Sequence, residues 1–331
     1  MEQRAIYDER YVGTGYDCRS AVRVLTAEAT ALRQAAGRAL DSLPESDPLS
    51  LFDFGYGTGR VTNDFAVSYP TRFRHSGRNL RVIAYDISAV GLHKAAMSLI
   101  KEHGFDQAEP LSFENAADAG YVAGSICRLS DGIAVTVVFV HGNEHEGPET
   151  VRTLIEKAND GRPTAITTSW YSALAHIPLA AERATFFAML STITDARGEL
   201  LIAPSVTGDL VELQAEWAER LRRGDIGDYP IELPGDVIYE TELAQKNFYH
   251  IFETDLADLL EANRAPGQQA WLEAIRLPDP EFASVAAEQA NFRRVQEFNH
   301  RVGRRPWRPE EYRQVHTAVA IRSGHPDAGT G

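Results

Sequence analysis

The chain has 331 residues, 44% of them hydrophobic, and a formal net charge of -14. It is long and apolar enough to bury a core with a substantial elaboration, which excludes wholesale disorder, and its acidity argues against nucleic acid as the main substrate. Two cysteines, Cys18 and Cys127, with no Cys-x-x-Cys pair, build no disulfide framework.

Taken in order, residues 1–45 read as an N-terminal helical segment, with simple packing on the sheet as one reading of its role. Tyr7, Tyr11 and Tyr16 surround Gly13 and Gly15, and a helix is expected from Ser20 with Leu25, Ala29, Leu32, Ala36 and Leu40 on one stripe. Asp41 to Ser50, with Pro44 and Pro48, breaks it. The run Leu51-Phe52-Asp53-Phe54 reads as a buried strand entering the turn Gly55-Tyr56-Gly57-Thr58-Gly59, then a helix. Glycines allow a tight bend and close approach of a ligand, and Thr62 or Asn63 is expected to satisfy free N–H groups of that helix. Pro70 to Asn79 reads as a polar loop. A second strand, Leu80–Tyr85, ends in Asp86, and Ser88 caps a helix carrying Leu92, Ala95, Ala96, Leu99 and Ile100. Residues 101–131 read as an inserted segment with room for a short strand of its own.

The third strand, Ile133–Val140, is apolar enough for a buried parallel position. It runs into His141-Gly142-Asn143-Glu144-His145-Glu146. That His/Glu cluster lacks helical His pairing and a distant third ligand, so no metal is expected. A helix from Glu149 closes at Asn159-Asp160-Gly161, and the fourth strand, Thr164–Ser169, runs into Trp170 and on to Pro178. A helix with Arg183, Phe187 and Leu190 and a fifth strand, Glu199–Pro204, come next. Gly208–Gly235 is a polar segment between the fifth and sixth strands; Gly235–Tyr239, Asn247–Phe252 and a helix capped by Thr254 follow it. Residues 281–300 read as a long helix, Arg293 to Arg308 gather positive charge, and Val315–Ile321 reads as the last strand.

The pattern acid-x-Gly-x-Gly-x-Gly from Asp53 to Gly59 is one residue tighter than the dinucleotide Gly-x-Gly-x-x-Gly. It resembles the first motif of the class I, Rossmann-like, S-adenosylmethionine-dependent methyltransferases. Leu174-Ala175-His176-Ile177-Pro178, a following helix with Arg183 and a strand after Gly198 are similar, in order, to landmarks of the family's small-molecule members. So is Phe248-Tyr249-His250 before a helix. The resemblance implies an α/β fold: a seven-stranded, doubly wound, mostly parallel sheet with an antiparallel last strand, an N-terminal helical segment and a lid insertion. The implied division is a cap over 1–45, a cofactor-binding core over 46–205, a lid over 206–236, the rest of the core over 237–322 and a tail over 323–331.

It also implies S-adenosylmethionine as cofactor. Asp53, Gly55, Tyr56, Gly57 and Gly59 would lie at its amino-acid end, Asp86 at the ribose and Gly142-Asn143 at the adenine, with Ile87, Glu144, Ser169 and Trp170 completing the contact set. Two positions depart from the family: Tyr56 stands where Cys or Ala is frequent, and Asn143 where Asp is frequent. Tyr11, Tyr16, Tyr171, His176 and Tyr249 are the candidate acceptor-binding residues, and His176, Tyr171 and His250 the candidate bases. For His176 the alternative is ordering of its loop by hydrogen bonds, and for Tyr249 and His250 it is pairing across a sheet.

The expected activity is methyl transfer to N, O or C of a small-molecule acceptor, with a specialised metabolite as one such class. The alternatives are a non-catalytic partner subunit on the same fold and, from the glycine turn alone, an NAD-dependent oxidoreductase. The start Met-Glu-Gln-Arg-Ala-Ile lacks an apolar run, and no stretch approaches the ~20 apolar residues of a membrane span. A cytoplasmic setting is therefore expected, with no nucleic-acid or membrane partner and with a homodimer left open.

Overall fold

Runs buried on both faces alternate along this chain with segments buried on one face, the pattern that layers helices on a mostly parallel sheet. The computed structural model describes residues 3–13, 16–113, 119–143, 145–170, 173–203, 231–233, 235–240, 246–250, 252, 254–263, 268–276, 305–306 and 316–323. In chain order these form α1 (Gln3–Gly13), α2 (Tyr16–Ser42), β1 (Leu49–Phe54), α3 (Arg60–Arg72), β2 (Leu80–Asp86) and α4 (Ala89–His103). Then come β3 (Asp106–Glu109), β4 (Tyr121–Ser130), β5 (Ile133–His141), α5 (Pro148–Ala158), β6 (Thr164–Ser169), α6 (Ala180–Ile193) and β7 (Thr194–Ile202). The C-terminal part holds β8 (Asp236–Glu240), β9 (Lys246–His250), α7 (Thr254–Ala262), β10 (Gln268–Arg276), β11 (Arg305–Pro306) and β12 (His316–Ser323).

Among the described residues one sheet runs β11-β10-β12-β7-β6-β1-β2-β5-β4-β3. Its centre is parallel: β1 pairs with β2 and β6, β2 with β5, and β6 with β7. β12, between β7 and β10, is antiparallel to both, which is the expected antiparallel last strand. The seven-stranded order β5-β2-β1-β6-β7-β12-β10 is thus the expected core, with further antiparallel strands at both edges.

The period of two assigns the faces. Leu49 and Leu51 of β1, with Leu80, Val82 and Ala84 of β2, pack against α2, α3 and α4. Phe52, Phe54, Ile83 and Tyr85 pack on the other side against α5, α6 and α7. The same alternation sets Asp53 and Asp86, at the carboxyl ends of neighbouring strands, on the α2–α4 face.

Three local readings are corrected and one, the inserted segment, is extended. The N-terminal segment forms two helices, the second starting at Tyr16 rather than Ser20. The helix after the glycine turn continues through Pro70 to Arg72. The inserted segment contributes β3 and β4, and β4 turns into β5 at Asp131-Gly132, both with positive φ (53° and 78°). Finally, among the described residues the two runs after the polar segment pair only with each other, as the β8–β9 hairpin, and the strand in the sixth place is β10.

Candidate functional site

The turn after β1 is built for close approach. Gly55, Gly57 and Gly59 adopt φ of 79°, 55° and 73°, where a side chain is strained. The amides of Gly55 and Tyr56 both donate to the Tyr85 carbonyl, at 3.0 and 2.9 Å, pinning the turn to the end of β2. Gly59 occupies the cap position of α3 and no side chain caps that helix. Thr62 and Asn63, expected to do so, are used elsewhere: Thr62 donates to Asp53, and Asn63 accepts from the Tyr56 hydroxyl. Both lie inside α3, past its cap position, which leaves their side chains to these partners.

Asp53 and Asp86 are both buried. Asp53 accepts from Thr62 Oγ1 at 2.5 Å and Thr168 Oγ1 at 2.9 Å. Asp86 accepts from the Gly57 amide through Oδ2 and the Ser88 amide through Oδ1, each at 2.7 Å. Among the described residues neither has a cationic partner. Burial pushes the Asp53 carboxyl up to about 7; the two threonine hydrogen bonds oppose this and Asp86 adds to it. Burial likewise pushes Asp86 up to about 6 against the pull of the Ser88 and Gly57 amides, with Asp8 adding to the rise. Two desolvated acids side by side make an electrostatic demand for positive charge.

Helix α1 covers this turn. A Cβ on Gly57 would lie 2.7 Å from the Tyr11 hydroxyl oxygen, and one on Gly91 would lie 3.0 Å from the Tyr11 ring. Asp8 accepts from Ser88 Oγ at 2.6 Å and from the Val90 amide at 3.4 Å, and Lys94 donates to the Tyr11 carbonyl. Ser88 meanwhile caps α4 as expected, accepting from the Gly91 amide at 3.0 Å. On the other side, a Cβ on Gly55 would lie 2.3 Å from the Ala173 Cβ, so the short 3-10 helix Ala173–His176 lies directly on the turn.

At the end of β5, His141 is fully buried, and its Nε2 lies 3.1 Å from the Ile87 carbonyl, to which it donates. Asn143 Oδ1 accepts from the His145 amide at 3.0 Å, and Glu146 accepts from the amides of Asn143 and Gly120. Asn143 and Glu146 thus shape the loop that follows β5. Gly142 is required there, since a Cβ would lie 2.2 Å from the Tyr85 hydroxyl. Ser169 and Trp170 are buried at the end of β6; the Ser169 carbonyl accepts from the Ala203 amide at 3.0 Å, and the Trp170 indole N–H has no hydrogen-bond partner among the described residues.

His176 closes the 3-10 helix with Nδ1 3.0 Å from the Phe248 carbonyl, between the rings of Tyr7 (5.4 Å) and Tyr249 (5.0 Å). His250 is buried, with Nδ1 2.7 Å from Asp236 Oδ1, and it pairs across the hairpin with Asp236. Tyr249 is half-buried on the same strand. Tyr171 and Glu144 lie outside the described residues, as do most of the 206–236 segment expected to form a lid and all but two positions of the arginine-rich 293–308 segment; of Tyr16 only its place at the start of α2 is described. Sequence reasoning did not assign Asp236, Asp8, or the threonines that hold Asp53. Asp236, directly before an apolar run, offered a strand-start signal but none for its partners.

No family model matches the chain, and no curated protein matches it. Among solved structures it is similar to the CcbJ methyltransferase from Streptomyces caelestis, at 10% identity, covering 96% of each chain, with a TM-score of 0.45. It is also similar to an S-adenosylmethionine-dependent methyltransferase from Anabaena variabilis, at 15% identity, covering 98% of this chain and 96% of that one, with a TM-score of 0.43. A third, from Clostridium acetobutylicum, is 8% identical over 97% of each chain, with a TM-score of 0.44. At these identities the likenesses are of fold.

Proposed function

We propose that the protein binds S-adenosylmethionine at the β1 and β2 ends and transfers its methyl group to a small-molecule acceptor. One observation carries this reading: two buried carboxylates, Asp53 and Asp86, at adjacent strand ends beside a three-glycine turn, with no cation among the described residues to balance them. Open α/β sheets bind ligands outside the carboxyl ends of their strands. A ligand carrying a sulfonium and an ammonium group supplies the charge that these acids lack. Asp86 accepts from backbone amides in the structure, and its two oxygens keep lone pairs for a ribose hydroxyl.

The cofactor, when bound, supplies an activated methyl group. The chain's own residues hold the acceptor in line and exclude water, with α1 as the cover and Tyr7, Tyr11 and Tyr249 as its aromatic lining. Where the acceptor must shed a proton, His176 takes it. The acceptor stays at the level of a small molecule, with N, O or C as the methylated atom. A thermal-shift assay tests the cofactor reading: at a hundredfold excess over Kd a ligand adds about 2.7 kcal/mol. At an unfolding entropy of about 2.1 cal/mol/K per residue, that raises the melting temperature of a 331-residue chain by about 4 °C. S-adenosylmethionine and S-adenosylhomocysteine should do this, and NAD should not. A shift with NAD alone would reject the proposal, and binding without turnover on any acceptor would favour the non-catalytic subunit.

A further inference from the structure

Beyond the crevice, one fully buried polar cluster is tied to the reaction edge from both sides. Arg183, Asp236 and His250 have side chains no more than 2% exposed. Asp236 Oδ1 accepts from Arg183 at 3.0 Å and from His250 Nδ1 at 2.7 Å, and Oδ2 accepts from the amides of Glu232 and Leu233, each at 2.8 Å. Burial acts to raise the Asp236 carboxyl, but the His250 hydrogen bond, the two amides and Arg183 together hold it below the ordinary carboxylate range. The other arm of Arg183 donates to the carbonyls of Ile177 at 2.7 Å and Pro178 at 2.9 Å, the two residues after His176. Its guanidinium also sits 5.5 Å over the ring of Phe248, whose carbonyl faces His176 Nδ1.

The cluster therefore clamps both neighbours of one histidine: the chain that follows it and the strand that meets its ring. A backbone carbonyl only accepts, so Nδ1 must carry the proton in the neutral ring. We infer that Arg183, Asp236 and His250 are positioning residues that fix His176 in its Nδ1–H tautomer, leaving Nε2 as the basic nitrogen at the reaction edge. A buried ion pair adds little net stability against apolar packing, whereas holding one geometry is a use to which such pairs are put. The inference rests on the methyl-transfer reading for what Nε2 does. As the acceptor lone pair forms its bond to the methyl carbon, the carbon–sulfur bond breaks with its electrons left on sulfur. The acceptor's proton passes to Nε2 and from there to water.

The test uses the whole chain without cofactor, so it stands or falls separately from cofactor binding. Long-range 1H–15N spectra of the labelled protein at about pH 8, with His176→Gln to identify the signal, report which ring nitrogen is protonated. The expected result is an excess of the Nδ1–H form of at least about fivefold, the bias that one ordinary hydrogen bond confers. Arg183→Lys keeps the charge but cannot serve Asp236 and both carbonyls in one plane. It should remain folded and turn the His176 signal into a tautomer mixture. Should that variant fail to fold, His250→Ala, which leaves Arg183–Asp236 in place and removes the tie to β9, is read for the same mixture. An Nε2–H form or a mixture in the unaltered protein would overturn the inference, as would an unchanged His176 signal in a folded Arg183→Lys or His250→Ala variant.

Discussion

Replacing Asp53 with Asn separates what the buried acid does to stability from what it does for binding. Moving a carboxyl from its ordinary 3.8 to about 7 favours the neutral form by about 4 kcal/mol, at 1.36 kcal/mol per pH unit. The sign follows from proton binding. Below about pH 4 the acid is protonated in both states and has no effect. Between about 4 and 7 the unfolded chain ionises while the folded chain holds its proton, so stability falls as pH rises, by up to about 4 kcal/mol, and then levels off. Asn is close to the acid in shape, and the hydroxyls of Thr62 and Thr168 can turn to donate or accept. Asp53→Asn should therefore remove this part of the slope and raise stability at pH 8 by up to about 4 kcal/mol, or about 6 °C in melting temperature at 331 residues. Calorimetric melting of both proteins from pH 4 to 8 reads this directly. A variant less stable than the parent at pH 8, with the same slope, would refute the claim that an unbalanced charge is buried there.

Other consequences can be read in the same assay. Arg38 donates through Nε and a terminal nitrogen to the buried Glu199, both at 2.6 Å, so Arg38→Ala should cost about 3 kcal/mol, some 4 °C. The exposed Arg152, paired with Glu149, is the contrast, and Arg152→Ala should stay within about 0.5 kcal/mol. Gly55→Ala combines a positive φ with a Cβ 2.3 Å from Ala173 and should cost about 3 kcal/mol, whereas Gly37→Ala, within α2 and with nothing within 4 Å, should gain about 0.5–1 kcal/mol. Because a cation in the crevice favours the ionised acids, S-adenosylmethionine binding should release protons at pH 6 and tighten from pH 5 to 8. Titration in buffers of different ionisation enthalpy checks this, and proton uptake would contradict it.

The parallel centre of the sheet was legible because the periodicities were intact. β1, β2 and β5 are largely apolar runs bounded by turn residues, and each ends at or next to a residue of the candidate site, whereas β6 and β7 carry only short apolar stretches and follow from the order of elements. β10 was not legible for a local reason. Between Leu272 and Ala274 the register against β12 slips by one residue, so the bulge breaks the period of two in Gln268–Arg276. The turn into β5 did carry its signal, Asp131-Gly132 between two extended runs, which marks a hairpin. For the site, the glycine turn with Asp53 and Asp86 came from local pattern. The partners did not: Thr168 reaches Asp53 from 115 residues away and Asp236 meets Arg183 across 53, pairings made by topology alone.

The central claim is that a sulfonium nucleoside is held by Asp86 and the glycine turn. Isothermal titration of S-adenosylmethionine into the protein and into Asp86→Ala tests it most directly. The account predicts saturable one-to-one binding that weakens at least about tenfold in the variant, the loss expected when a ribose hydrogen bond to a charged group, worth about 1.5–3 kcal/mol, is removed. Equal affinity in the two proteins, or binding of NAD in place of S-adenosylmethionine, would contradict it.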